Sequence, residues 1–379
     1  MAAADLGVGI IGSGNISGIY LTNVPLYKGI VVRAIADMRP EVATAQAAKF
    51  GVDAVSVDQL LGRDDIDIVV NLTVPAAHAA VSLSILSADK HVFSEKPLAT
   101  SLKLGRRIVA EADQRGLLVG CAPDTFMGAG GRLARRFVDD GKIGRPLSGT
   151  AFIMSHGMEH WHPDPEFFFK PGGGPVLDMG PYYISTLVNL LGPVGRVLAL
   201  TGAGFRQRIV TTDSPKKGAR IRVEVPTSAF ALLQFVGGAQ MIFAASWDVW
   251  RHSHPPIEIY GTAGSLRVPD PNFFGGIVEV TDKDGKWQPH DTAALPTGAI
   301  NWPAARPRLA NYRALGVAEL AAAIRKKTRQ RAGGRLALHV LAVMEAILVS
   351  GDKGRAVDIR DRIARPPPLT EEAAVAFFR

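Results

Sequence analysis

The 379-residue chain reads as an α/β protein: a doubly wound parallel sheet, then an α+β region whose strands run mostly antiparallel. Three observations predict this. Continuous Val/Ile/Leu runs alternate with helical patterns over the first 120 residues, as in a parallel sheet covered on both faces. After residue 125 the rhythm changes to strands separated by tight glycine turns. The length also exceeds one ordinary core, so two domains are expected, 1–124 and 125–379.

The elements follow in order. Strands are expected at Leu6–Ile11, Val31–Ala36, Ile66–Leu72, His91–Ser94 and Leu117–Cys121. Between them fall helices at Asn15–Val24, Pro40–Phe50, Ala76–Ala88 and Leu102–Arg115. Such a sheet binds ligands outside the carboxyl ends of its strands. A helix at Arg132–Asp139 and an extended segment at Leu147–Met154 open the second half. A loop rich in Pro, Gly and aromatics runs from His156 to Gly174, and the apolar stretch after it, to Leu191, reads as a helix. Further strands fall at Val197–Ala203, Ser228–Phe235, Gln240–Trp247, Ile257–Tyr260 and Ser265–Val268. The second and third of these form a hairpin in which Gly237 and Gly238 supply positive φ. Helices at Tyr312–Lys326 and Arg335–Val349 finish the fold, and Arg365-Pro-Pro-Pro368 reads as an extended arm.

Composition narrows the function classes. With 47% hydrophobic and 21% charged residues the chain is globular in type. No uninterrupted apolar run reaches the roughly 18 residues of a membrane span, so no membrane partner is expected. The net charge of +8 is scattered, and its densest run, Arg325–Arg331, reads as a solvated helix end. Neither zinc-finger spacing nor an aromatic-interleaved basic motif points to nucleic acid. The N-terminus lacks the basic region of a secretory signal, and the single cysteine, Cys121, fits a reducing compartment, so a cytoplasmic location is expected.

The first strand runs into Gly9-Ile-Ile-Gly12-Ser-Gly14-Asn-Ile-Ser17. In a G-x-G-x-x-G turn Gly12 makes the bend and Gly14 lets the backbone approach a pyrophosphate. Ser17 stands where the last glycine would, a position that mainly serves close packing. Gly12, Gly14, Asn15 and Ile16 are therefore expected at a dinucleotide. Asp37 ends the next strand, where a carboxylate accepts ribose hydroxyls and repels a 2′-phosphate, which favours NAD over NADP. Arg39, two residues on, can stack on adenine or receive a 2′-phosphate. Thr73, Pro75 and His78 follow the Ile66–Leu72 strand at the same sheet edge and join the expected cofactor groove. As a lone histidine, His78 has a competing reading as a satisfied helix-end residue.

Strand His91–Ser94 leads into Glu95-Lys96-Pro97, which puts Glu95 and Lys96 beside the expected nicotinamide. Farther on, Asp178 and Tyr182 lie four apart in a helical pattern and share one face. An acid and a phenol approached by a lysine form a proton-relay group, since an adjacent ammonium favours the phenolate. Asp124 and Thr125, after the Leu117–Cys121 strand, can meet a substrate hydroxyl or simply turn the chain. In the aromatic loop, His156, His160 and His162 surround Trp161. Three close histidines invite a metal reading. The favoured role is instead Trp161 as a platform for an apolar sugar face, with His160 or His162 as hydroxyl partners, and no metal. Trp247, Trp250, His252 and His339 read as core or satisfied residues.

The glycine turn, Glu95-Lys96-Pro97 and Gly172-Gly-Gly-Pro-Val-Leu-Asp178-Met-Gly-Pro-Tyr182 together resemble the glucose–fructose oxidoreductase / inositol dehydrogenase (Gfo/Idh/MocA) family. The resemblance implies an N-terminal Rossmann domain and a C-terminal α/β domain whose open, mostly antiparallel sheet makes a homodimer or homotetramer. It implies hydride transfer between NAD, less favourably NADP, and a secondary alcohol carbon of a sugar, sugar derivative or cyclitol. It places Lys96 at the catalytic lysine and Asp178 at its acidic partner. Tyr182 stands where inositol dehydrogenases carry histidine, leaving Tyr182, Lys96 or the pair as general base. Lys96, Asp124, Trp161, His162, Asp178 and Tyr182 are the expected substrate contacts. Two other readings are a redox-neutral, NAD-retaining glycosidase and a non-catalytic sensor of NAD or sugar.

Overall fold

The structure, a computed structural model, describes residues 4–302, 309–361 and 363–379. The first half alternates strand and helix: β1 (Leu6–Ile11), α1 (Ser17–Asn23), β2 (Ile30–Ala36), α2 (Pro40–Phe50), β3 (Asp53–Ala54), α3 (Val57–Leu61) and β4 (Ile68–Asn71). It continues with α4 (His78–Ser87), β5 (His91–Ser94), α5 (Leu102–Arg115) and β6 (Val119–Cys121). All six strands are parallel, in the order β3-β2-β1-β4-β5-β6. The order reverses beside β1, so the crevice at its carboxyl end is the switch point where doubly wound sheets take ligands. Pro40 at the first position of α2 and left-handed Gly51 after its end fix that helix within its expected bounds. Short β3 and α3 were not expected; Ser56 and Gln59 form a capping box that holds α3 in place of a longer apolar pattern.

The second half contains α6 (Ala129–Asp139), β7 (Pro146–Met154), α7 (Pro175–Leu191), β8 (Val194–Gly202), β9 (Gln207–Ile209) and β10 (Arg220–Arg222). Then come β11 (Ser228–Phe235), β12 (Gln240–Ser246), β13 (Ile257–Gly261), β14 (Gly264–Val268), β15 (Ile277–Asp282) and β16 (Gln288–Asp291). The chain closes with α8 (Leu315–Lys326), α9 (Gly334–Lys353), β17 (Val357–Asp358) and α10 (Glu371–Val375). Nine strands form one sheet ordered β16-β15-β14-β13-β7-β12-β11-β8-β17. It is mostly antiparallel, but β7 and β12 run parallel, a pairing that strand periodicity does not encode. In the β11–β12 hairpin only Gly238 takes positive φ, at 94°, so one glycine does what two were expected to do.

One face of the large sheet packs on α7 and α9; the other is open. Helix α9 is long and apolar enough to cross a membrane by length and composition, with a mean hydropathy of 1.5. His339 and Glu345 interrupt its apolar run, and most of it is buried between α5, α7 and β8 as a core helix. The proline arm then folds back: Arg331 donates to the carbonyls of Pro367 and Pro368 at 2.9 and 3.0 Å. Past it, the Lys28 N–H donates to the Phe377 carbonyl at 2.7 Å, which ties the last residues to the first half.

Candidate active site

The crevice begins at the turn after β1. Gly12 has φ of 104°, and a Cβ there would come within 2.6 Å of the Leu72 main chain, so only glycine fits. A Cβ at Gly14 would meet nothing within 4 Å, which leaves open space in front of the turn. The Ser13 N–H donates to Asp37 Oδ2 at 2.8 Å, while the buried Ser13 hydroxyl has no partner among the described residues. Arg39 N–H donates to the other Asp37 oxygen at 2.9 Å, and the Arg39 side chain is mostly exposed. Asn15 and Ile16 complete the turn into α1. Ser17 is fully buried; its hydroxyl donates to the Gly14 carbonyl at 2.7 Å and accepts from Gln46 on α2 at 2.9 Å. The serine thus holds the turn while bridging α1 to α2.

After β4, the amide oxygen of Asn71 accepts from the Thr73 hydroxyl at 2.6 Å and the Thr73 N–H at 3.2 Å, setting the loop that carries Thr73 and half-buried Pro75. His78 differs from expectation. Its ring is buried, with Nδ1 2.7 Å from the Pro97 carbonyl and Nε2 3.0 Å from the Thr73 carbonyl. Burial lowers the pKa of this ring, whose single N–H in the neutral form donates to one of the two carbonyls, and the ring lies wedged between the Thr73 loop and the Lys96 loop, so the satisfied-histidine reading replaces a direct cofactor contact. Buried Glu95 accepts from the Tyr20 hydroxyl at 2.9 Å and the Lys96 N–H at 3.0 Å. Its carboxylate fixes the backbone that presents Lys96.

Lys96 Nζ donates to Asp178 Oδ1 at 2.8 Å and to the Asp178 carbonyl at 2.9 Å. Burial alone would favour the neutral amine, but Asp178, Tyr182 and Glu95 outweigh it and hold the lysine pKa above its ordinary value. Lys96 is therefore an ammonium. Asp178 sits in the first turn of α7, and Tyr182 follows one turn later with its ring centroid 5.3 Å from Lys96 Nζ. The tyrosine is only 6% exposed. Its neighbour Tyr183 is also buried, and burial with the Asp270 charge pushes that phenol well up, so it stays neutral.

Asp124 is not at an open surface. It is 1% exposed, with one oxygen accepting the Gly316 N–H at 2.8 Å in the first turn of α8 and the other without a partner among the described residues. It caps a helix rather than reaching for a hydroxyl. His162 lies in the aromatic loop, where burial lowers its pKa, its Nδ1 accepts the Asp164 N–H at 3.1 Å, and its ring packs edge-on against Phe167 and Phe168. Trp161 packs edge-on against His162 and is 55% exposed, an open aromatic surface beside it. His156 instead stacks on Trp250, and among the described residues no three His, Cys, Asp or Glu gather as metal ligands. Trp247 and His339 are fully buried, whereas Trp250 is 78% exposed.

One site residue was not anticipated. Arg313, in the loop before α8, is 7% exposed and donates to the Tyr182 hydroxyl at 3.4 Å. No motif marks it; an isolated arginine just ahead of an apolar helix is the only signal in the sequence.

Residues 6–122 match the family model described as an oxidoreductase family with an NAD-binding Rossmann fold, and residues 132–267 match the GFO/IDH/MocA C-terminal domain. The chain is 28% identical over 266 residues to a 1,5-anhydro-D-fructose reductase of Ensifer adhaerens, covering 68% of this chain and 74% of that one. It is 25% identical over 286 residues to a myo-inositol 2-dehydrogenase of Thermotoga maritima, covering 73% and 79%. Among solved structures, a levoglucosan dehydrogenase in complex with NADH superposes with a TM-score of 0.78 at 20% identity, covering 95% of this chain and all of that one, a likeness of fold.

Proposed function

The chain belongs to the GFO/IDH/MocA family of NAD-binding oxidoreductases, and from that premise we propose that it transfers hydride between NAD and a secondary alcohol carbon of a sugar, sugar derivative or cyclitol. The observation that carries this reading is the Lys96 ammonium, held 2.8 Å from Asp178 and beside Tyr182, on the sheet edge that also bears the Gly12 turn. The named substrates of the relatives, sugars and cyclitols, suggest the class.

The turn fits a dinucleotide: open space at Gly14, a Ser13 hydroxyl with no partner among the described residues, and the Asp37 carboxylate at the Ser13 N–H. Gly12, Gly14, Asn15 and Ile16 would hold the pyrophosphate and Asp37 the ribose, with Arg39 at the rim and Thr73, Pro75 and Glu95 along the nicotinamide end. Asp37 favours NAD over NADP. When bound, NAD supplies the hydride acceptor. Lys96, kept protonated, donates a hydrogen bond to the reacting oxygen and polarises it. That leaves Tyr182 to take or return the hydroxyl proton, while Asp178 orients Lys96. His162 meets a hydroxyl, and Trp161 offers a face for the apolar side of the ring.

Residues 1–124 carry the cofactor in this reading, and residues 125–379 carry the substrate and an oligomer contact. A second copy of the chain docks on the open sheet face, and the single, buried Cys121 suits the cytoplasm.

A panel of sugars, cyclitols and their acids, offered with NAD and with NADP and followed at the NADH absorbance, tests the function. Reduction of NAD by at least one secondary alcohol is expected, with NADP slower. Cleavage of a glycoside without net NADH would instead select the redox-neutral reaction, and tight binding without any turnover would select a sensor.

A further inference from the structure

Arg313 is a buried cation with an unusual set of partners. Its Nη1 donates to Asn311 Oδ1 at 2.8 Å; its Nη2 donates to Asn272 Oδ1 at 2.8 Å, to the Asn272 carbonyl at 3.3 Å and to the Tyr182 hydroxyl at 3.4 Å. None of these partners is a carboxylate. No described acid lies within ion-pair distance, and the ten residues outside the description contain no Asp or Glu. A guanidinium kept out of water without a contacting anion is costly, and its nearest ionisable acceptor is the Tyr182 oxygen. Lys96, by contrast, already has its counter-charge in Asp178 at 2.8 Å. Of the two cations beside the phenol, Arg313 is therefore the one with no contacting carboxylate; Glu95 and Asp124 act on its charge only from beyond ion-pair distance.

The hydrogen bond also has a direction. A guanidinium only donates, so the Tyr182 oxygen accepts from Arg313 and the phenol must point its own proton elsewhere. The two asparagines fix the fork, and Asn23 at the end of α1 fixes the loop by donating to the Arg313 and Asn311 carbonyls at 3.0 and 2.9 Å.

We propose that Arg313 is a positioning residue of the active site, which orients the Tyr182 hydroxyl and stabilises the negative charge on its oxygen when the proton leaves. The proposal rests on the reading that Tyr182 exchanges a proton with the substrate. In alcohol oxidation the phenolate oxygen takes the hydroxyl proton, and in reduction the phenol returns it; Arg313 keeps its own protons throughout. The ionisable groups around Tyr182 are Lys96 just past β5, Asp178 one turn earlier on α7, and Arg313. Glu95, Asp124, Tyr20 and Asp270 in turn feel the Arg313 charge.

Two readouts on Arg313→Met and Arg313→Lys test this. The first is the phenolate absorbance of the enzyme without cofactor, titrated against pH, with Tyr182 isolated by subtracting the Tyr182→Phe titration. The second is the pH profile of kcat for oxidation. Arg313→Met should move the Tyr182 ionisation upward by about one pH unit or more, and the rising limb of kcat should move with it. At neutral pH kcat should fall ~10-fold or more with KM little changed. Arg313→Lys should recover part of both shifts. Unmoved ionisation in a variant that melts normally overturns the proposal, as does activity lost only in step with thermal stability. If Arg313→Met does not fold, the neutral but polar Arg313→Gln carries the test: an ionisation and a kcat limb identical to wild type in both position and height would overturn the proposal. A shifted titration in an enzyme that turns over no polyol would leave the Arg313 assignment standing and remove the proposed reaction instead.

Discussion

Asp124 shows what a single residue's surroundings can do. Burial, with a contribution from Glu95, raises its carboxyl to a pKa of about 6, against the pull of the Gly316 N–H and the Arg313 charge. An unfolded aspartate titrates near 3.9, so the folded chain holds this proton more tightly. Its contribution to stability is thus greatest below about pH 4 and declines as pH rises through 6, by about 3 kcal/mol in all. Asp124→Asn keeps an acceptor for Gly316 and cannot titrate. Urea unfolding at several values from pH 4 to 7 should therefore show a flatter stability profile in Asp124→Asn than in wild type, and equal slopes would contradict the burial argument. At this scale the sequence was partly readable. That Lys96, Asp178 and Tyr182 come together was legible because they sit in the motifs that carry the family resemblance. Arg313 was not, and His78 and Asp124 were left with two readings each, because their roles depend on partners 5 to 192 residues away that only the fold brings near.

At the scale of elements, the alternation of β11 was legible and has a consequence. Its buried residues Ala229, Ala231 and Leu233 face α7 and α9, while Phe230 and Leu232 are more than half exposed. The register lines Leu198, Leu232 and Ile242 across three strands, with Leu200 opposite Phe230 beside them. These side chains are 46–71% exposed, an apolar patch that a solitary chain rarely leaves to water. Sedimentation of the wild type should give a dimer or tetramer, and Leu200→Asp with Phe230→Asp should give a folded monomer. A monomeric wild type, or a double variant that stays assembled, would show that this face is not the contact. Strands with clear alternation were found within a few residues of their observed ends. The polar pieces β9, β10 and β16 escaped because they lack an apolar face, and β15 escaped although its Ile-Val-Glu-Val pattern was present. Strand direction, as in the parallel β7–β12 pair, is set by connections and not by residue pattern.

The whole molecule makes a site that neither half contains. Lys96 lies two residues past a strand of the first sheet and Asp178 opens a helix beneath the second, 82 residues later, yet they meet at 2.8 Å. Helix α9 packs on α5 from one half and on α7 and β8 from the other, and the final residues return to Lys28, so the two halves share one core. The two-part layout was legible from the change in rhythm near residue 125, whereas the interlocking of α8, α9 and the tail with the first sheet was not. In the proposed reaction this junction performs chemistry on a substrate while the Gly12 crevice holds NAD. Lys96→Met and Tyr182→Phe test this, assayed side by side for NAD affinity and for turnover of whichever alcohol the wild type oxidises. Both variants should bind NAD within a few-fold of wild type and lose turnover by ~100-fold or more, as removal of a proton-transfer or oxyanion-stabilising group does. Full turnover in both variants would contradict it.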